Sequence, residues 1–346
     1  MTYADAGVDR TQARAAKTRI RQLARRTFTR GVLADIGSFG ALYALDRKRW
    51  RRPVLVSSVD SVGTKLKVAF RMDRHDTVGE DIVNHCVNDI AVQGATPLFF
   101  LDYIAASKLR PAVIADLVAG MSRACRAAGV ALVGGETAEL PDFYHPGEYD
   151  LVGFILGVVE RKKLLDGSRV RAGDILLGLA SSGLHTNGYA LARKLFFDVA
   201  RLTPNSYIPE LGHRLGPELL KPHRCYYLAM APLLARGLLS AAAHITGGGL
   251  TENIPRVLPR NLAAEIHLDR WQPLPIFRLL EKLGHLSREE MLRTFNLGIG
   301  MVLIVPPQHL TRVEASLRRH RQRFYRIGQV IPHPGPPRVV YRGRWR

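Results

Sequence analysis

Three carboxylates in this chain stand where acids can hold a cation. Asp60 closes the β-branched run Val54-Leu55-Val56-Ser57-Ser58-Val59 and is followed almost at once by Gly63-Thr64-Lys65. A strand that ends on an acid and enters a tight turn can set a divalent metal on one side and triphosphate oxygens on the other. The same order also suits a plain strand-end turn with a surface lysine, and it lacks the first glycine of a Walker A loop. Asp89 follows His85 and Asn88 in a stretch whose apolar residues Ile82, Val83, Cys86, Val87 and Ile90 fall at helical spacing. Glu136 comes behind Gly134-Gly135 and before Thr137, at the end of the apolar run Val130-Ala131-Leu132-Val133. Each acid alone fits a cap or turn. Brought together, Asp60, Asp89 and Glu136 would hold Mg²⁺, which takes a few carboxylates beside water and phosphate oxygens.

Two further stretches suit an anion, the first equally a catalytic group and the second equally a plain flexible glycine loop. Ser181-Ser182-Gly183-Leu184-His185-Thr186-Asn187-Gly188 lies between a strand-like run and a helix-like one, and Thr246-Gly247-Gly248-Gly249 opens another helix. Helix N-terminal amides point into such loops. His185 sits in polar company, which suits either a catalytic or a merely hydrogen-bonded imidazole.

These residues need elements to carry them. The pattern predicts strands at 54–60, 98–101, 129–133, 150–160, 175–180 and 301–305, with closing strands at 327–331 and 339–341. It predicts helices beginning near Thr77 or Asp81, over 111–128, largely over 222–239, and over 310–323. A strand-like segment is expected after Gly37 and Gly40. Alternating strands and helices indicate an α/β chain. Val170-Arg171-Ala172-Gly173-Asp174 reads as a hinge, dividing residues 1–168 from 169–346.

Composition narrows the class. The 346 residues are 47% hydrophobic and 23% charged, the balance of a globular protein with a substantial core. The net charge of +20 would draw phosphorylated metabolites. Its arginines are spread along the chain rather than gathered on one element, so nucleic acid is not expected as a partner. Three widely spaced cysteines without a Cys-x-x-Cys pair speak against a disulfide framework or zinc site and for a reducing compartment. No run is long enough to span a bilayer and the N-terminus does not read as a signal peptide, so a soluble cytoplasmic protein is expected.

Several stretches together resemble the phosphoribosylformylglycinamidine cyclo-ligase (aminoimidazole ribonucleotide synthetase) family. They are Tyr3-Ala4-Asp5-Ala6-Gly7-Val8-Asp9, the turn after Asp60, Asn88-Asp89 with Gly94-Ala95-Thr96-Pro97, and Gly134-Gly135-Glu136-Thr137-Ala138-Glu139. The two anion-facing loops and Arg293-Thr294-Phe295-Asn296-Leu297-Gly298 belong with them.

The resemblance implies a two-domain PurM-like fold, with N-terminal sheets from two chains closing a β-barrel in a homodimer. It implies ATP-dependent ring closure of formylglycinamidine ribonucleotide in purine biosynthesis, through a phosphorylated formamide. Asp60, Asp89 and Glu136 would face Mg²⁺, while Thr64 and Lys65, after Gly63, would meet ATP phosphates. A loop of Gly134, Gly135, Glu136 and Thr137 would line the nucleotide. Ser182, His185, Asn187, Gly247, Gly248 and Gly249 would take the substrate, with His185, Asn187 and Lys65 at the chemistry. The chain departs from the family pattern at Ser61, where glycine is usual, at Asp35 and Ser38 in a thinned glycine loop, and at Arg21, where lysine is common. Selenophosphate synthetases, a related alternative, typically carry an N-terminal cysteine or selenocysteine, and here no cysteine precedes Cys86.

Overall fold

The computed structural model describes residues 10–345 apart from Ser38, and for residues 10–16 the backbone alone. The Tyr3–Asp9 motif and the Ser38 substitution lie outside the described residues. The chain divides into two compact units. One holds the described residues up to Ile90 together with Ala95–Arg161, and the other Ala91–Gly94 with Lys162–Arg346.

The first unit is built on four strands, β1 (Pro53–Ser61), β2 (Thr96–Ala106), β3 (Ala131–Glu139) and β4 (Tyr149–Glu160). They lie in the order β1-β4-β2-β3. Only β2 and β3 run parallel, joined by the crossover helix α4 (Pro111–Ala128). Proline at the start and left-handed Gly129 (φ 70°) at the end fix that helix where the sequence predicts it. Helices α1 (Arg10–Arg25), α2 (Leu66–Met72) and α3 (Asp76–Ala91) complete the unit.

α3 crosses one face of the sheet. A side chain on Gly153 would strike Ile82, one on Gly157 would strike Ile90, and the Cys86 thiol reaches the Gly153 carbonyl. α3 and α4 meet at Gly79 and Gly120, where a Cβ on Gly120 would lie 1.9 Å from the Asp76 carbonyl. No other residue permits that approach.

Two expectations change here. Residues 134–137 form no loop: β3 runs on through them to Glu139, because β2 supplies a parallel ladder partner at every step. The segment after Gly40 makes only an isolated bridge between Val32 and Tyr43.

The second unit holds a six-stranded sheet of β5 (Ile175–Ala180), β8 (Ala241–His244), β9 (Leu262–His267), β10 (Ile299–Val305), β11 (Phe324–Pro332) and β12 (Arg338–Arg342). The order is β12-β9-β11-β5-β10-β8, and β6 (Tyr207–Ile208) with β7 (His213–Arg214) forms a separate small hairpin. The helices are α5 (Tyr189–Arg193), α6 (Leu215–Leu219), α7 (Tyr227–Ala235), α8 (Gly249–Asn253), α9 (Pro275–Gly284), α10 (Arg288–Thr294) and α11 (Leu310–Arg319). Leu177, Leu179, Met301 and Leu303 of the sheet pack with Met230, Leu233, Val313 and Leu317 of α7 and α11, all fully buried. Helix α7 is shorter than the expected 222–239, since the chain is irregular from Lys221 to Tyr226.

Candidate functional site

Asp60 and Asp89 come together. α3 presents His85 and Asp89 on one face, four residues apart, and β1 brings Asp60 alongside. The His85 Nε2 lies 2.8 Å from Asp60 Oδ2 and 3.8 Å from Asp89 Oδ2, and Ser58 Oγ donates to Asp89 at 3.0 Å. Burial works to lower the His85 pKa, but the Asp60 hydrogen bond and the charges of Asp89, Asp60 and Asp81 outweigh it and raise it. A buried imidazole thus sits where two carboxylates from separate elements converge.

Glu136 is not part of that pair. Register runs Asp60–Gly153–Asp102–Gly135 across the four strands, so these residues share the face toward α3. Glu136 is the next residue along and turns to the opposite face, exposed, on the far edge strand. Three strand spacings, about 14 Å, separate the two edges.

Gly63 and Thr64 are exposed in a short 3₁₀ turn directly after β1. Lys65, expected among the phosphates, is wholly buried, with its ammonium 2.7 Å from the equally buried Asp81 carboxylate. Burial pulls the Lys65 pKa down while Asp81 acts to raise it. Ser61 lies inside β1 and is not among the left-handed residues, so serine there carries no strain. Asp35 is held by Arg25 (Nε–Oδ2 3.0 Å) and lies 3.9 Å from Arg21, which neutralises the acid in the thinned glycine loop.

Sequence inspection passed over Asp102. Its carboxyl is buried beside Gly135 of β3, where a Cβ on that glycine would lie 2.5 Å from Asp102 Oδ1, so glycine keeps that space open. Burial pushes its pKa up to about 7, helped by the charge of Glu136. The signal was faint: one acid behind an apolar strand run.

In the second unit the two glycine- and hydroxyl-rich loops meet. Asn187 Oδ1 lies 3.4 Å from where a side chain on Gly247 would begin. Residues 181–188 are clamped by Asn296, which accepts from Ser181 Oγ (2.9 Å) and donates to the Gly183 carbonyl (2.9 Å). Ser182 Oγ donates to the Pro222 carbonyl at 2.6 Å. The triple-glycine loop is held by Asn253, whose Nδ2 donates to the carbonyls of Gly247 (3.0 Å) and Gly249 (2.8 Å).

His185 adopts a left-handed φ of 63°, a conformation that costs free energy and gathers at functional sites. Its Nε2 accepts from the Ser182 amide at 3.2 Å, so a neutral ring carries its proton on Nδ1. The ring is buried and stacks on His223 with centroids 4.1 Å apart. His223 in turn bonds His244, Nε2 to Nε2, at 3.0 Å. Neither of those histidines was picked out from sequence. Long-range pairing alone brings them to residue 185.

Residues 44–159 match the family model described as AIR synthase related protein, N-terminal domain, and residues 171–339 the corresponding C-terminal domain. Fold and site therefore define a two-domain AIR synthase related protein. The phosphoribosylformylglycinamidine cyclo-ligase of Syntrophotalea carbinolica is 51% identical over 342 residues, covering 98% of each chain. That of Alkaliphilus metalliredigens is 46% identical over 331 residues, covering 96% of this chain and 95% of its own. The chain belongs to the phosphoribosylformylglycinamidine cyclo-ligase family. Among solved structures, a thiamine-monophosphate kinase from Stenotrophomonas maltophilia superposes with a TM-score of 0.69 at 21% identity, covering 95% of this chain and 96% of its own. E. coli HypE, a hydrogenase maturation protein, gives 0.65 at 20%, covering 94% of both chains. At that identity these likenesses speak for the fold.

Proposed function

We propose that this chain closes the imidazole ring of 5-aminoimidazole ribonucleotide from formylglycinamidine ribonucleotide, spending ATP, as a step of purine biosynthesis. The formamide oxygen attacks the γ-phosphorus of ATP, forming an O–P bond as the bond to the ADP oxygen breaks. The amidine nitrogen then attacks the activated carbon. A C–N bond forms, the C–O bond breaks, phosphate leaves with the electron pair, and the nitrogen sheds a proton. Phosphoryl transfer asks chiefly for positioning and charge neutralisation.

Asp60 and Asp89 would hold Mg²⁺. Both carboxylates reach the same buried imidazole nitrogen, which brings oxygens from two elements within range of one oxygen-preferring ion. When bound, Mg²⁺ neutralises the charge that develops on the transferred phosphoryl group. Gly63 and Thr64 would line the phosphate side, and Gly134, Gly135, Glu136 and Thr137 the nucleotide from the β3 edge. Lys65 acts through Asp81, fixing the turn that carries Gly63 and Thr64. Solved structures of HypE with ATP and of PurL with AMPPCP share this fold.

Ser182, His185, Asn187 and the glycines Gly247, Gly248 and Gly249 would take the ribonucleotide. The observation that carries this reading is the meeting of Asn187 with Gly247, which brings two distant loops side by side.

The uncovered face of the first sheet supports a homodimer closed into a barrel. Leu55 and Val59 are 60% and 62% exposed, beside half-buried Phe99, Leu101, Phe154 and Leu156. Free Cys86, Cys125 and Cys225 suit the cytoplasm, and among the described residues no helix is long and apolar enough to cross a membrane.

The test is a mixing assay. ATP and formylglycinamidine ribonucleotide should yield aminoimidazole product. His185→Gln and Asn187→Ala should each lower kcat/KM for the ribonucleotide by roughly 100-fold, with little change in the KM for ATP. An absence of product with folded enzyme would sink the assignment, and unchanged kinetics would take both side chains out of the site.

A further inference from the structure

Four cations crowd one cavity that the reaction does not use. Lys162, Lys163, Arg169 and Arg236 surround a space of about 210 Å³ in the second unit, floored by the buried Leu165 and Leu239. Among the described residues that line it, none is acidic. The closest acid in sequence, Asp166, turns its carboxylate onto Ser168, accepting from the amide at 3.0 Å and from Oγ at 2.6 Å, and its charge also acts on Arg169, leaving the other three cations without that acid.

A helix that ends beside an anion would ordinarily repel it through free carbonyls. Here α7 ends in a closed motif. Left-handed Gly237 (φ 63°) donates to the Leu234 carbonyl at 3.1 Å, Leu238 donates to that of Leu233 at 3.1 Å, and Lys163 Nζ takes the Ala235 carbonyl at 3.3 Å. The last turn is therefore satisfied and faces the cavity without unpaired acceptors at those positions.

We propose that this cavity is a second ligand site for a compact polyanion of two or three linked phosphate groups. Its volume lies below the roughly 300 Å³ at which pockets begin to enclose drug-sized ligands, so it suits phosphate groups and not a whole nucleoside. Two guanidinium groups can grip phosphate oxygens in pairs, and two ammonium groups supply charge without demanding one geometry. Either a free inorganic polyphosphate or the tail of a nucleotide, its base left outside, carries that chemistry.

The full-length protein tests it by calorimetric titration with tripolyphosphate and, separately, with ATP. Arg169→Ala/Arg236→Ala should weaken tripolyphosphate binding at least 10-fold and leave ring-closing turnover without added polyphosphate unchanged. A control, Lys108→Ala/Arg338→Ala, removes two exposed cations elsewhere and should bind as the parent does. If ATP loses one of its binding events in the first variant, the natural ligand is a nucleotide tail. If ATP binding stays as it was while tripolyphosphate fails, it is a free polyphosphate. Equal tripolyphosphate affinity in parent and first variant, or an equal loss in the control, would overturn the site and leave only the diffuse field of a +20 chain.

Discussion

At the scale of single residues, Lys65 shows how a side chain expected among phosphates can end inside the core. Sequence places a cation just beyond Asp60, and either a phosphate-facing or a surface lysine fits that spacing. The structure turns it inward instead. A 3₁₀ turn rotates the chain by about 120° per residue, so Gly63 and Thr64 face water while Lys65 meets Asp81, 16 residues further on. That partner is invisible to local pattern. Lys65→Met would strand a buried carboxylate, and the expected loss is about 3–5 kcal/mol, read as a lower urea midpoint. Lys65→Met/Asp81→Leu should regain most of it, because an apolar pair of similar volume removes both buried charges. A single variant with unchanged midpoint and lost ATP turnover would instead put the ammonium on the nucleotide.

At the scale of elements, what was legible is what depends on neighbours in sequence. Pro111 and Gly129 bracket α4 as expected, and the apolar period of α3 carries His85 and Asp89 to one face. Register between strands is another matter, because no residue of β1 states which residue of β4 it will face. Only the assembled row Asp60–Gly153–Asp102–Gly135 shows that Glu136 points away and that Asp102 is buried. That burial has a consequence for pH. The Asp102 carboxyl titrates near 7 in the folded chain against an ordinary 3.8. The folded state therefore holds a proton that the unfolded chain has released, and stability falls as pH climbs from about 4 to about 7 and then levels. Asp102→Asn cannot ionise, so its stability relative to the parent should rise over that interval. Urea midpoints at pH 5, 6, 7 and 8 measure it, and a constant difference would mean that Asp102 titrates normally.

At the scale of the whole molecule, the open sheet is the feature a lone chain leaves unresolved. Strands β1 and β3 are both edges, and the face away from α3 carries exposed Leu55 and Val59 beside half-buried Phe99, Leu101, Phe154 and Leu156. Edge strands beside an apolar face invite pairing with another sheet. In the proposed homodimer a second copy would satisfy both needs by closing the strands into a barrel. Two chains of net charge +20 also repel each other, so burial of that face must outweigh the repulsion. Sedimentation should give twice the 38.5 kDa of one chain, and added salt should tighten the dimer by screening its charge. Leu55→Glu/Val59→Glu places two acids where a separate chain already exposes the side chains, so each chain should fold with its melting behaviour little changed yet sediment alone. A parent protein that sediments at 38.5 kDa at micromolar concentration would refute the barrel, and a variant that stays paired would move the interface to another face.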